Sequence, residues 1–244
     1  MNKIVIGFLF GIFLTSSAFG GVNLTVGPEV SHISYREKGL PFKREIIDVK
    51  EDGIMYGIKG TLEYTDKIYL ALDGKYSTGK VDYSGSGTID DVTDYMIETR
   101  GLIGHQFKQV IIYSGYGYRY LNDDLSGRLT STGLYGYERE STYHYVPIGV
   151  KFEGLQAELD ILVVGEQVSN LQDIDKFAPE IRNKQNSGTG VKLSYTLSKK
   201  FKKMDLQLTP FFRWWKVQTS KTDDGFIEPK NTSIEAGGQV SVKF

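Results

Sequence analysis

The run Ile234, Ala236, Gly238, Val240, Val242 and Phe244 places an apolar or small residue at every second position, while Glu235, Gln239, Ser241 and Lys243 fill places between them. A period of two is the period of a β-strand, whose side chains point alternately to its two faces. The segment therefore has one apolar face and one wet face. The same alternation recurs in ten segments, about 23–35, 53–64, 68–78, 94–107, 110–121, 141–153, 155–167, 189–199, 204–217 and 232–244.

The connections between these segments follow a rhythm. Four are tight: Thr65 to Lys67, Lys108 with Gln109, Gly154 alone, and Lys200 to Lys203. Five are long and polar, 36–52, 79–93, 122–140, 168–188 and 218–231. Short turns on one side and long loops on the other are the habit of antiparallel up-and-down barrels that cross the outer membrane, with the short side periplasmic. The expected fold is thus an all-β transmembrane barrel of ten strands, with eight and twelve the neighbouring even counts that the boundaries leave open.

Parity assigns the faces. Leu24, Val26, Val30, Ile54, Ile58, Leu70, Leu72, Ile103, Ile112, Ile148, Val150, Leu159, Ile161, Val163, Val191, Leu193, Leu206 and Leu208 belong to the lipid side. The opposite parity carries acids, namely Glu29, Glu63, Asp73, Glu98, Glu158, Asp160, Glu166 and Glu235, and bases, namely Lys59, Lys75, Arg100, Arg119, Lys151, Lys192, Arg213 and Lys243. A basic residue on the lipid face at the bilayer midplane costs about 2–4 kcal/mol, so the lumen has to hold these groups. Glu98, Arg100, Arg119, Lys151, Glu158, Asp160, Lys192 and Arg213 are the expected lumen ion-pair residues. Tyr116, Tyr118, Tyr120, Phe212 and Trp214 fall at matching heights on outward positions and are expected to form an interfacial aromatic girdle. Pro28, Pro147 and Pro210 lie inside strands, where each removes a ladder hydrogen bond and predicts a bulge or a shifted boundary.

Composition agrees. The chain has 16 Tyr, 13 Phe and 28 Gly, a vocabulary of strands and turns. Its mean hydropathy of −0.28 would suit a soluble protein, and a barrel with a polar lumen has the same signature. A net charge of −1 argues against nucleic acid as a partner. Residues 1–20 read as a secretory signal peptide: Lys3, the apolar stretch Ile4 to Leu14, then small residues to a cut after Gly20, leaving 21–244 as the barrel domain. The apolar stretch is shorter than the roughly 20 residues of a membrane-spanning helix. Without cysteine, no lipid attachment or disulfide framework is available.

Candidate chemistry is sparse. His32, His105 and His144 all share the outward parity, and Ser31 and His32 point to opposite faces, which defeats a nucleophile–base hydrogen bond. Asp90 with Asp91, Asp123 with Asp124, and Asp223 with Asp224 fall in expected loops as solvated turn residues. Gly85 with Gly87 and Gly115 with Gly117 lack the strand-to-helix context of a phosphate loop; the second pair would let bulky lumen side chains pack against the wall. No metal, cofactor or catalytic constellation is expected, so the chain reads as non-enzymatic.

On its rhythm of strands and loops and its terminal Gln239, Val240, Ser241, Val242, Lys243, Phe244, the chain resembles the small outer-membrane barrels of the OmpA-, OmpX- and opacity-like group. Ten strands are also similar to the omptin proteases and some adhesins, although the acid-pair and acid–histidine arrangement of omptins is not matched. The resemblance implies residence in the outer membrane of a Gram-negative bacterium, among lipid and lipopolysaccharide. It also implies assembly by periplasmic chaperones and the barrel-assembly machinery, with Val240, Val242 and Phe244 as the signal. The expected role is structural or surface-interacting, of an adhesin or defence kind, through exposed loops and around a charge-plugged lumen. A rim enzyme acting on peptide or lipid is the first alternative and a narrow channel the second.

Overall fold

The computed structural model describes residues 21–39, 41–42, 45–46, 48–178, 180–202, 204–221 and 227–244. The expected signal peptide and the pair Asp223–Asp224 lie outside the described residues. Ten strands close into a barrel: β1 Val22–Glu37, β2 Val49–Thr65, β3 Ile68–Ser84, β4 Thr88–Phe107, β5 Val110–Asp124, β6 Glu138–Phe152, β7 Leu155–Asn170, β8 Gly188–Tyr195, β9 Met204–Val217 and β10 Asn231–Lys243. Each pairs antiparallel with its sequence neighbours, and β10 pairs β1 to close the ring. Leu197–Phe201 continues β8 along β9 past Thr196, and Glu180–Lys184 adds to the extracellular end of β7.

The alternation produces the wall. Ile58, Leu72, Ile103, Ile112, Leu159, Leu193 and Leu208 are exposed on the outer face, forming an apolar belt. Its extracellular edge is marked by outward Tyr56, Tyr76, Tyr116, Phe212 and half-buried Tyr95, Tyr118, Tyr120, His144 and Trp214. Above that edge the outer positions turn polar: Lys80, Asp82, Asp124 and Lys216. A closed barrel with such a belt leaves no strand edge to hydrocarbon, and it belongs in the outer membrane of a Gram-negative bacterium.

Three aspects depart from the sequence reading. Segment 79–93 is not a long loop: β3 and β4 run on to Ser84 and from Thr88, joined by a tight turn. The reason is an inward row of Val81, Ile89 and Val92 that packs with Ile33, Met55, Met96 and Leu125 above the belt, so the strands have a core to follow after they leave the membrane. Second, the register of β6 with β7 shifts between His144 and Tyr145, and Val163 and Val164 are both exposed. That extra residue turns Glu166 outward, where it pairs with Arg182 at 3.1 Å. Third, of the three strand prolines only Pro147 lies beside a bulge, while Pro28 and Pro210 keep the ladder in register.

Aromatic rings fill the lumen against glycine. Tyr143, Tyr145, Leu162, Trp215 and Val217 form one packed layer. A Cβ on Gly117 would lie 2.2 Å from the Tyr145 ring, and one on Gly190 2.6 Å from the Trp215 ring. Those two positions therefore have to be side-chain-free.

Candidate functional site

Charged side chains bridge the membrane-level lumen wall to wall. Arg213 on β9 gives Glu98 on β4 two hydrogen bonds, Nη1 to Oε2 at 2.7 Å and Nη2 to Oε1 at 2.5 Å. Arg100 holds Glu158 at 2.6 Å and also pairs with Asp73. Lys75 joins Glu29 at 2.6 Å and Glu235, and Lys151 meets Glu63 at 2.5 Å. Both Arg100 and Arg213 use the planar fork that lets one guanidinium engage two oxygens at once.

Not every expected pair forms. Arg119 has no carboxylate partner within ion-pair distance among the described residues; Glu98 is already held by Arg213, and the Arg119 guanidinium stands 5.9 Å over the Trp215 ring instead. Lys192 also lacks an ion pair among the described residues, because Glu158 opposite it on β7 turns to Arg100 and to the Tyr113 hydroxyl, 2.7 Å away. Asp160 lies 3.9 Å from Arg213, with neither oxygen hydrogen-bonded.

The girdle aromatics Tyr116, Tyr118, Tyr120, Phe212 and Trp214 sit on the outer wall; Tyr116 meets His144 Nδ1 at 2.5 Å, and Tyr120 donates to Glu140. All three histidines of the chain lie on that outer wall too. Val240 is exposed and Val242 half-buried on the outer face of β10. Phe244 donates its N–H to the carbonyl of Leu24 at 2.9 Å.

A second constellation lies above the belt, where the sequence reading had loops apart from Asp94 at the start of segment 94–107. β2, β4 and β5 continue upward with inward-facing Glu51, Asp94 and Asp123, and Asp94 and Asp123 face each other across β4 and β5. Carboxylate oxygens of the three lie within 4.8 Å of one another. Among the described residues one cation serves them: Arg139 on β6 donates to Asp123 at 2.9 Å, to Glu37 at 2.6 Å, and to Glu51. The guanidinium occupies the place a metal would take among these carboxylates, so cation neutralisation here is the work of Arg139. Glu228, buried beside Glu37, adds a fifth acid.

Five buried acids around the one guanidinium among the described residues cannot all be ionised. Burial, reinforced by Asp123, pushes Asp94 up to about 9. Glu51 is raised by burial against the pull of Arg139, with Asp123 and Asp94 adding to the rise. Glu228 is raised by burial and by Glu37. At neutral pH Asp94 therefore carries a proton beside Asp123, which accepts from Arg139. One oxygen of each Asp is buried without a hydrogen-bond partner. The signal for this cluster was present in the parity: Asp94, Met96 and Glu98 alternate without a break.

No family model matches the sequence, and no curated protein matches it. Among solved structures the chain is similar to the outer membrane protease OmpT of Escherichia coli, with a TM-score of 0.53 at 10% identity, covering 91% of this chain and 95% of OmpT. The translocator domain of the autotransporter NalP from Neisseria meningitidis matches with a TM-score of 0.44 at 11% identity, over 94% of this chain and 90% of that one. The likeness is to bacterial outer-membrane barrels broadly, which corrects the narrower resemblance to the OmpA-, OmpX- and opacity-like group. It also overturns the expectation that a barrel of this build is not an enzyme, since OmpT is a protease on the same fold; at such identity it carries the fold alone.

Proposed function

We propose that this chain is an outer-membrane surface hydrolase whose reacting groups are Asp94 and Asp123, at the extracellular end of the lumen. The observation that carries the reading is their asymmetry: two carboxyl groups paired across adjacent strands, each with a free buried oxygen, one without a cation partner and pushed up by burial, the other held by Arg139. A carboxyl group pushed up by burial beside one that accepts from a guanidinium is suited to an acid role next to a base. In this scheme Asp123 takes a proton from water as its hydroxyl adds to a carbonyl carbon, and Asp94 gives its proton to the leaving group. Glu51 and Arg139 are positioning residues. The outward histidines cannot reach this place, so the base is a carboxylate. The protease OmpT, on the same fold, supports hydrolysis as a use for such a barrel. Substrate is a peptide or ester offered from outside, and it reaches the pair only as the extracellular connections part, because Asp94 and Asp123 are each 2% exposed.

The test is a screen of peptide and ester hydrolysis by refolded protein, with Asp94→Asn and Asp123→Asn alongside. Turnover lost by at least 100-fold in both variants supports the reading, and an inactive parent protein or unimpaired variants defeat it. Export with removal of residues 1–20, and insertion by the barrel-assembly machinery through Val240, Val242 and Phe244, belong to the same proposal.

A second reading rests on different residues. Phe177 is 96% exposed, and Leu129, Leu134 and Tyr135 are each more than half exposed on connections beyond the belt. Apolar side chains held out in water suit contact with another surface, so an adhesin-like role of these loops is compatible with catalysis beneath them.

A further inference from the structure

The lower lumen is open. A cavity of about 520 Å³ enters from the tight-turn side, past Gln109, Gly154 and Gln207, and ends at Glu98, Arg100 and Arg213. Its cations are shared unevenly among its acids. Each acid of the inner wall and floor is engaged: Glu29 and Glu235 by Lys75, Glu63 by Lys151, Asp73 by Arg100 and Glu98 by Arg213. Lys59 on β2 and Lys192 on β8 line the same cavity with no carboxylate within 4.0 Å among the described residues. These strands stand nearly opposite each other in the ring, so two lysine side chains with no ion pair of their own approach one space from facing walls. Lys192 is only 7% exposed, and its ammonium makes no hydrogen bond among the described residues. Hydroxyls of Ser194, Thr196 and Thr209 border the cavity beside it.

We propose that this vestibule binds a small phosphate-bearing solute from the periplasm, with Lys59 and Lys192 as its cationic clamp. Burying a charged side chain without a counter-charge is unfavourable unless something in the site answers it. A dianionic oxyanion answers two ammonium groups together, and the neighbouring hydroxyls donate to its remaining oxygens. A neutral sugar would leave both cations unanswered. A monovalent carboxylate would satisfy only one. The ion-paired floor closes the way onward, so the site is a blind receptor and not a passage.

The experiment is equilibrium binding of inorganic pyrophosphate to the refolded barrel in nanodiscs by calorimetry, at fixed ionic strength with chloride as the background anion. Saturable binding is expected, weakened at least 10-fold in Lys192→Gln and in Lys59→Gln, retained in Lys192→Arg, and unchanged in Lys216→Gln on the outer wall. Lys192→Gln removes a buried charge and keeps a polar side chain, and its folding is checked by heat-modifiable migration in a gel. Absence of saturable binding by the folded parent protein, or equal weakening by Lys216→Gln, would overturn the proposal. The site shares no residue with the acid pair above the membrane, so the two readings fail separately.

Discussion

Glu98 and Arg213 join β4 to β9 across the middle of the barrel through two parallel hydrogen bonds of 2.7 and 2.5 Å, with both side chains almost fully buried. A bidentate pair of this kind fixes two strands from facing walls and blocks the space between them.

Removing one partner leaves a buried charge alone. Arg213→Ala is therefore expected to destabilise the barrel by about 3–5 kcal/mol, and the double change Glu98→Leu with Arg213→Leu by less than either single loss. Denaturant unfolding in detergent micelles measures both. The unmodified protein should conduct ions poorly in a planar bilayer, and Arg213→Ala should raise the conductance.

Arg119 behaves differently, because it has no carboxylate to abandon. Arg119→Met removes its stack on Trp215 and is expected to cost at most about 2 kcal/mol. A loss equal to that of Arg213→Ala in the same unfolding assay would show a pairing of Arg119 that the geometry lacks.

Much of this was legible in the sequence. Period-two alternation gave the strands their faces, and alternating connection lengths gave the ring its two ends. Segment 79–93 was misread because Lys80, Asp82, Asp90 and Asp91 look like loop residues. They are the wet outer face of strands already above the membrane, whose inner face is Val81, Ile89 and Val92. The acid cluster was hidden for the same reason: Glu51 and Asp123 lie in stretches where polarity without lipid looks like a loop. Arg119 and Lys192 had the correct face, but parity says nothing about which of several neighbours a carboxylate will choose. The inserted residue at Val163–Val164 reversed the face of Glu166; Pro147 on the neighbouring strand marked a bulge there, but not which strand would carry the extra residue.

Stability should fall as pH rises. An acid whose folded pKa is raised binds its proton more tightly in the folded state, so its favourable contribution is fully present below the unfolded value and is lost on ascending through the folded one. For Asp94 that window runs from about 4 to about 9, and Glu51 and Glu228 act in the same direction. Asp94→Asn is expected to flatten this slope in thermal unfolding followed from pH 5 to pH 9, and to be more stable than the parent protein at the alkaline end. A parent slope of the opposite sign would contradict the burial of these protons.

Deleting Phe244 should lower the yield of folded barrel in cells far more than it lowers the stability of protein refolded in detergent. Its side chain is 47% exposed on the outer wall, so packing contributes little there and recognition during assembly is its expected use. Comparable effects in the two assays would assign Phe244 to packing alone.

The protonation of Asp94 is the claim on which the acid–base reading stands, and difference infrared spectroscopy of the parent protein against Asp94→Asn reads it directly. The account predicts a protonated carboxyl carbonyl band at pH 7 that is absent from the variant and disappears with a midpoint about 9. An ionised carboxylate at pH 7, titrating near 4 like an ordinary aspartate, would contradict it.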